Sequence, residues 1–147
     1  MYRVGVAVLI MNTRGELLLV NLTSFEEKYF AVPGGGQDEG ETLLDAAYRE
    51  IKEELNINKS DLELVGSSDT PVVFNFKEAS LFRDGITYTG QEKYYFGFRF
   101  TGDEKSTHPN DSEVRSFKWV PISYLDKYLL FENQLEDTME KVREIFI

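Results

Sequence analysis

Three glutamates in one short segment have the spacing of metal ligands on a helix. Glu50, Glu53 and Glu54 lie at positions i, i+3 and i+4, which share one helix face at about 100° per residue. Glu50 and Glu54 fall inside the edge of the apolar stripe formed by Leu43, Leu44, Ala46, Ala47, Ile51 and Leu55. Like charges so placed repel one another, and a hard divalent cation such as Mg²⁺ relieves that repulsion. The alternative interpretation is a solvated acidic face.

Three consecutive glycines, Gly34, Gly35 and Gly36, precede this segment. Without a Cβ atom, their backbone N–H and carbonyl groups approach a ligand closely. A loop that leads to a helix N-terminus also favours a phosphate oxygen. A triple glycine alone is more often simply a turn, so its meaning depends on the acidic segment that follows.

The composition excludes several classes of site and partner. The chain has 147 residues, no cysteine, one histidine and a formal net charge of −10. Thiolate chemistry, disulfides and a three-histidine zinc centre are therefore excluded. The negative charge disfavours long nucleic acids and anionic membranes, but a bound metal ion reverses the local field for a phosphate-bearing substrate.

The length predicts a single domain over residues 1–147. Its longest apolar run, Val4 to Met11, is eight residues, far below the roughly twenty that span a bilayer. We expect no membrane association and a cytoplasmic location.

Hydrophobic periodicity predicts an α+β domain with a mixed β-sheet between helices. The segment from Thr42 to Leu55 is the clearest helix, with Thr42 as N-cap, Asp45 as its capping-box partner and Asn56 as the left-handed C-terminal residue. A second helical pattern runs from Ile122 to the end of the chain. The predicted strands are Val4–Ile10, Leu17–Leu22, Tyr29–Val32, Leu62–Gly66, Val72–Phe76, Tyr94–Thr101 and Phe117–Val120.

Aromatic residues and the single histidine are weaker candidates for function. Tyr94 and Tyr95 could stack on a base, but alternation along a strand turns one of the two toward the core. Trp119 is predicted to pack in the core, and His108 to lie in an exposed polar loop.

The order of these features resembles the Nudix box. Eight of the nine positions that the box specifies match this chain. The matching segment consists of Gly35, five residues, Glu41, seven residues and then Arg49 through Ile57. The departure is Asn56, where the family has glycine, and asparagine tolerates the left-handed conformation better than other residues. The resemblance implies the Nudix fold, an α/β/α sandwich, and Mg²⁺-dependent hydrolysis of a nucleoside diphosphate linked to another group, with Mn²⁺ as an alternative metal.

The resemblance also implies residue roles. Glu53 and Glu54 would be the principal metal ligands, and Gly34 would add a backbone carbonyl. Glu50 would be a further ligand or the base that activates water, and Arg49 would orient it. Glu41 resembles a structural or metal-supporting acid.

Outside the box, the chain resembles the bacterial RNA pyrophosphohydrolases and dinucleoside polyphosphate hydrolases. The resemblance rests on Tyr2-Arg3, on residues 90–96 and on residues 112–120. It implies that Glu113 assists metal binding or base catalysis. Arg3 and Lys93 would contact phosphate oxygens, with Tyr95 as a further candidate for substrate binding.

Several substrates remain open at this point. The first is a dinucleoside polyphosphate such as diadenosine tetraphosphate, and the second is the triphosphorylated 5′ end of RNA, which the acidic charge disfavours. The third is a free nucleoside triphosphate, as in sanitising the nucleotide pool. A catalytically silent nucleotide-binding module is the alternative from another class. The protein would act on a small nucleotide as a monomer or homodimer.

Overall fold

The computed structural model describes residues 1–147. Its α-helices are α1 (Leu43–Leu55) and α2 (Gln134–Phe146), and short 3₁₀ turns span Lys59–Asp61, Glu104–Ser106 and Ile122–Lys127. Its seven strands are β1 (Tyr2–Met11), β2 (Glu16–Leu22), β3 (Gly34–Gly36), β4 (Leu62–Ser67), β5 (Val72–Leu81), β6 (Thr87–Phe100) and β7 (Val114–Pro121).

All seven strands form one mixed sheet around β1. The path through the sheet is β4-β6-β1-β2-β7, with β1 parallel to β6 and antiparallel to β2. The glycine strand β3 pairs antiparallel with Gly5 to Ala7 of β1. Strand β5 pairs antiparallel with β6 and extends the sheet as a hairpin.

The two faces of the sheet are covered by different helices. Alternate residues of β1, such as Val8 and Leu9, point to opposite faces and belong to separate core clusters. Helix α1 packs on one face, where its Ile51 and Leu55 share a cluster with Val8. Helix α2 packs on the other face, where its Val142 shares a cluster with Leu9. The predicted α/β/α sandwich with a mixed sheet is therefore confirmed.

Two predicted elements differ from the structure, and one observed strand is absent from the prediction. The strand predicted at Tyr29–Val32 is wrong, because only a single bridge joins Ala31 to Val20. The short strand lies instead at the glycines of β3, where close pairing with β1 replaces side-chain alternation as the stabilising feature. The second helical region begins with the 3₁₀ turn Ile122–Lys127, and α2 starts only at Gln134.

The β5–β6 hairpin is longer than the sequence predicts. Strand β5 continues from Phe76 to Leu81, and β6 begins at Thr87. Residues 77–80 are all exposed, so no buried face imposes the alternation that identifies a strand.

The ends of α1 are defined by the residues that the sequence indicates. Thr42 Oγ1 accepts a hydrogen bond from the Asp45 amide at 3.0 Å, and the Asp45 carboxylate accepts one from the Thr42 amide. Asn56 closes the helix with φ of 59°. Both predictions are confirmed. Neither α-helix is long and apolar enough to cross a bilayer.

We predict that Asn56→Gly raises the free energy of unfolding by about 0.5 kcal/mol, and that Asn56→Ala lowers it by about 1 kcal/mol. The reason is the positive φ at this position, which glycine adopts freely and alanine does not. Urea denaturation of both variants measures the difference. Equal stabilities of the two variants would contradict the prediction.

Candidate active site

The three glutamates of α1 line the largest cleft of the molecule. This cleft has a volume of about 1040 Å³, and Glu50, Glu53 and Glu54 lie along it with the three glycines of β3. Glu50 and Glu54 are 9% and 3% exposed, while the Glu53 side chain is 48% exposed. The predicted orientation of α1, with two acids inside its buried face, is confirmed.

Glu54 is the most deeply buried acid of the cleft. Its Oε1 accepts a hydrogen bond from the Gly34 amide at 3.2 Å, and its Oε2 is buried with no partner. Burial raises the pKa of this carboxyl to about 8, against the opposing effect of the Gly34 N–H. The carboxylates of Glu50 and Glu113 raise it further, and Lys93 lowers it.

Glu50 lies directly against the glycine strand. A Cβ atom on Gly35 would lie 2.3 Å from the Glu50 carboxyl carbon, so any other residue at this position would displace the carboxylate. Burial raises the pKa of Glu50, and the neighbouring Arg49 opposes that shift. The glycine in the motif therefore permits the close approach between α1 and β3.

Arg49 holds the acidic groups of the site in place. Its guanidinium donates to Glu41 at 2.6 Å, to Glu50 at 2.8 Å and more weakly to Glu53 at 3.3 Å. It also donates to the Gly36 carbonyl at 2.7 Å, which ties α1 to β3. Hydrogen bonding to Glu41 is the largest cause of the raised pKa of Arg49, so the guanidinium remains charged.

Glu41 occupies a supporting position at the start of α1. Its carboxylate accepts hydrogen bonds from Arg49 and from the Asp38 amide at 2.7 Å. The contact with Arg49 is the main reason that the pKa of Glu41 is lowered. Glu41 thus positions Arg49 and closes the loop between β3 and α1.

The carboxylate oxygens of the cleft are the type of ligand that suits a hard divalent metal ion. The structure contains no group of three His, Asp or Glu side chains already arranged to hold one. Arg49 neutralises Glu50 and Glu53 through direct ion pairs. The partnerless Oε2 of Glu54 is a buried acceptor that lacks a donor, and carboxylate oxygens are the ligands that Mg²⁺ prefers. Glu54 is therefore the best candidate to hold the ion, with Glu50 beside it in the cleft and Glu53 at the solvent side.

Glu113 reaches the same cleft from the loop before β7. Its backbone carbonyl accepts a hydrogen bond from Thr23 at 2.9 Å, which fixes the loop against the end of β2. Its negative charge contributes to the raised pKa values of Glu50 and Glu54. The structure thus brings Glu113 to the acids of α1 across about sixty residues of sequence.

A second, more apolar pocket adjoins the cleft at Glu54. It has a volume of about 410 Å³ and shares Leu22, Gly34 and Glu54 with the cleft. The aromatic residues Phe25, Phe74 and Phe131 line it, together with the polar side chains of Gln91 and Thr138. Phe131 stacks on Tyr29 at 4.5 Å and meets Phe25 edge-on at 5.1 Å.

Lys93 and Tyr95 line this apolar pocket, whereas Arg3 lines the cleft. Burial lowers the pKa of Lys93 to about 8, and the charge of Arg3 lowers it further. Tyr95 is only 5% exposed and belongs to the core on the α2 side. Its neighbour Tyr94 lines neither cavity.

Two weaker candidates lie outside both cavities. Trp119 packs on Phe100 with ring centroids 5.5 Å apart, and His108 is exposed in a loop. Both placements agree with the sequence-based expectation.

Sequence reasoning missed the residues of the β5–β6 hairpin that line the cleft. These residues, which follow no recognisable motif, are Phe82, Arg83, Asp84, Ile86 and Tyr88. It also missed the aromatic lining of the apolar pocket, because Phe25, Phe74 and Phe131 are distant from one another in sequence. The only signal in the sequence was their aromatic character, which is equally typical of core residues.

Comparison with known proteins identifies one family model and a full-length relative. The NUDIX domain model matches residues 1–142. The chain is 32% identical over 154 aligned residues to an RNA pyrophosphohydrolase of Pelagibacter ubique, an alignment that covers 97% of this chain and 92% of that protein.

Two solved structures share the fold. The E. coli dihydroneopterin triphosphate pyrophosphohydrolase superposes with a TM-score of 0.76 at 19% identity, over 98% of this chain and 99% of that one. A C. elegans Ap4A hydrolase in a binary complex superposes with a TM-score of 0.67 at 21% identity, over 91% of this chain and 90% of that one.

We predict that Glu54→Gln changes the pH dependence of stability in chelator-treated protein. Because the pKa of Glu54 is raised from 4.5 to about 8 in the folded chain, the native state retains a proton that the unfolded state has lost. The free energy of unfolding of the unsubstituted protein therefore falls as pH rises through this window, by up to about 1.4 kcal/mol per pH unit.

Urea denaturation between pH 5 and pH 8 in chelator tests this effect. Glu54→Gln cannot ionise, so its stability should fall less steeply than that of the unsubstituted protein. Glu63→Gln, an exposed acid on β4, is the matched control. Parallel pH profiles for the unsubstituted protein and Glu54→Gln would contradict the prediction.

Proposed function

The chain belongs to the NUDIX family and is a hydrolase of pyrophosphate bonds, and we propose that it acts on the 5′-polyphosphate of a nucleotide in the presence of Mg²⁺. The observation that carries this proposal is the junction at Glu54. There, a polar cleft lined by acids and Arg3 meets an apolar pocket lined by aromatic side chains. A nucleoside polyphosphate has the same two parts, an apolar base and a charged phosphate chain.

The apolar pocket suits a nucleobase. Phe25, Phe74 and Phe131 provide aromatic surface, and base–aromatic stacking contributes roughly 1–3 kcal/mol per base. Gln91 and Thr138 add polar groups at the same wall, which supply hydrogen bonds to the edge of a base. We place the nucleoside in this pocket, with Lys93 contacting the first phosphates at its inner end.

The phosphate chain would then extend past Glu54 into the cleft. Water attacks a phosphorus atom, the P–O bond of the anhydride breaks, and two phosphate products separate. Mg²⁺ bound by Glu50, Glu53, Glu54 and the Gly34 carbonyl would neutralise phosphate charge and increase the acidity of water. Glu113 and Glu50 are the candidate bases, because both face the cleft; as the base, Glu50 would accept a proton from water in place of holding the ion.

Arg49 acts through the acids that it contacts. Its hydrogen bonds to Glu50 and Glu53 fix their carboxylates, while Glu41 orients Arg49 in turn. These contacts define a rigid acidic wall, so substrate binding does not have to order the side chains first.

As substrate we propose the 5′ end of triphosphorylated RNA, which would lose pyrophosphate. The name of the 32% identical relative supports this choice, and the net charge of −10 limits it. A strongly acidic protein gains little from contacts along an RNA backbone. We therefore propose that recognition is confined to the terminal phosphates and the first nucleotides.

Dinucleoside polyphosphates are the second candidate. The acidic charge favours a short substrate, and the cleft of about 1040 Å³ leaves room beyond the phosphates. The same residues would cleave the phosphate chain of the dinucleotide between two phosphates.

The cytoplasmic location and the monomeric or homodimeric state remain predictions from sequence.

A substrate panel with Mg²⁺ tests the proposal. It contains 5′-triphosphorylated RNA of two, six and thirty nucleotides, diadenosine tetraphosphate, nucleoside triphosphates and nucleotide sugars, with the products identified. We expect the RNAs to be hydrolysed at a rate that does not rise further once the RNA is longer than a few nucleotides. The rate should also depend little on salt concentration. Turnover confined to diadenosine tetraphosphate would favour the second candidate, and no turnover on any substrate would favour a silent binding module.

We predict that Glu53→Gln or Glu54→Gln lowers kcat at least a hundredfold while the fold is retained. Each substitution removes a carboxylate that would hold Mg²⁺ beside the phosphates, and chelator should abolish activity for the same reason. Steady-state kinetics measures the rate, and thermal unfolding with and without Mg²⁺ measures metal binding independently of turnover. Glu63→Gln is the control, and undiminished activity in either site variant or in chelator would contradict the metal assignment.

A further inference from the structure

Arg3 is a cleft residue whose guanidinium has no carboxylate partner. The contacts that define its position are the ring of Phe82, 4.6 Å from Cζ to the ring centroid, and the backbone of Gly36. A Cβ atom on Gly36 would lie 2.2 Å from Arg3 Nη2, so a side chain at this position would displace the guanidinium. Asp84 is near enough for the charge of Arg3 to contribute to its lowered pKa, but hydrogen bonds from Tyr88 and Ile86 are the larger causes.

Phe82 is held in place by the tip of the β5–β6 hairpin. Its amide donates to the Ile86 carbonyl at 3.0 Å, and its carbonyl accepts from Gly85 at 3.0 Å. Its ring meets Tyr88 edge-on at 5.2 Å and stacks near Phe76 at 6.1 Å. The hairpin thus fixes the ring that contacts Arg3.

Asp84 strengthens this tip from within. Its carboxylate accepts hydrogen bonds from the Ile86 amide at 2.9 Å and from the Tyr88 hydroxyl at 2.5 Å. Because Asp84 is occupied by the hairpin, it does not form an ion pair with Arg3.

We propose that Phe82 is a positioning residue for substrate binding: it holds the Arg3 guanidinium by stacking and leaves its N–H donors free for phosphate oxygens. A carboxylate partner would occupy those donors and cancel the positive charge. An aromatic ring attracts the cation through its face and consumes no donor. Phe82 lies on a hairpin outside the sequence motifs. Its contact with Arg3 is therefore visible only in the tertiary structure.

This inference rests on the proposed function, because it takes the anion to be the polyphosphate of the substrate. Arg3 lines the cleft and does not line the apolar pocket proposed for the nucleoside. We therefore take the anionic partner of Arg3 to be a phosphate group of the polyphosphate chain. Inorganic pyrophosphate is then a suitable probe that requires no turnover.

The first test compares Phe82→Leu with Phe82→Tyr. Leucine removes the π face, and tyrosine retains it. For Phe82→Leu we expect KM to rise about three- to thirty-fold with kcat nearly unchanged, since binding is lost equally in ground and transition states. Phe82→Tyr should restore KM to within about twofold of the unsubstituted value.

The control is Leu81→Ala on the same hairpin. Leu81 is 73% exposed and does not line the cleft, so KM and kcat should both remain unchanged. Thermal unfolding of every variant establishes that the fold is retained. A loss of kcat in Phe82→Leu and Phe82→Tyr alike, with KM unchanged, would overturn the positioning role.

A double-substitution cycle with Arg3→Ala separates positioning from general stability. If Phe82 acts through Arg3, Phe82→Leu raises KM in the unsubstituted chain but has no further effect when Arg3 is already alanine. An equal increase of KM in both backgrounds would overturn the proposal, because Phe82 would then act without Arg3.

Calorimetric titration with inorganic pyrophosphate and Mg²⁺ distinguishes failure of this inference from failure of the proposed function. Weaker binding to Phe82→Leu, by about three- to thirty-fold, supports the inference even if no substrate of the panel is hydrolysed. Unchanged affinity for pyrophosphate, together with normal RNA turnover, would overturn the inference and leave the proposed function intact.

Discussion

The arrangement of this protein depends on the burial of two carboxylates between helix α1 and the glycine strand β3. Glu50 and Glu54 lie at 9% and 3% exposure, where desolvation of a charged group is unfavourable. Three features of the chain offset it: the Gly34 amide contacts Glu54, Arg49 contacts Glu50, and Gly35 has no side chain to displace the carboxylate. One oxygen of Glu54 still lacks a partner, which supports the proposal that this carboxylate is a ligand of Mg²⁺.

The distribution of positive charge is as informative as that of the acids. In a chain with a formal net charge of −10, four Lys and Arg side chains line the two cavities: Arg3, Arg49, Arg83 and Lys93. Arg49 is occupied by acids of the site, whereas Arg3 rests on an aromatic ring and Lys93 lines the apolar pocket. Arg3 and Arg83 in the cleft and Lys93 in the apolar pocket thus lack the multiple acidic partners of Arg49, while the net negative charge of the chain disfavours a long polyanion.

The two cavities have different origins in the fold. The cleft is bounded by the start of β1, the loop after β2, β3 with the loop that follows it, α1, the loop that carries Glu113 and the hairpin tip, so six separate parts of the chain contribute to it. The apolar pocket lies between the loop after β2, strands β5 and β6, and the start of α2. Residue Asn21 supports the first of these loops by donating to the carbonyls of Glu26 and Tyr29. Variation in these loops and in the hairpin can alter substrate preference without disturbing the acidic helix.

The sequence alone determined the local features of this protein, because they depend on neighbours along the chain. Helix α1, its Thr42 cap, its end at Asn56 and the inward-facing Glu50 and Glu54 follow from spacing and capping rules that operate within one turn of helix. Periodicity also indicated a mixed sheet between helices, and the structure shows alternate strand residues in two different cores. The strand at Gly34–Gly36 could not be predicted, because it is stabilised by pairing with β1 and not by its own side chains. Only the tertiary structure brought Arg3 to Phe82, Glu113 to Glu54 and Phe25 to Phe131. Such contacts join residues that are remote in sequence, and no local propensity records which strands and loops the folded sheet brings together.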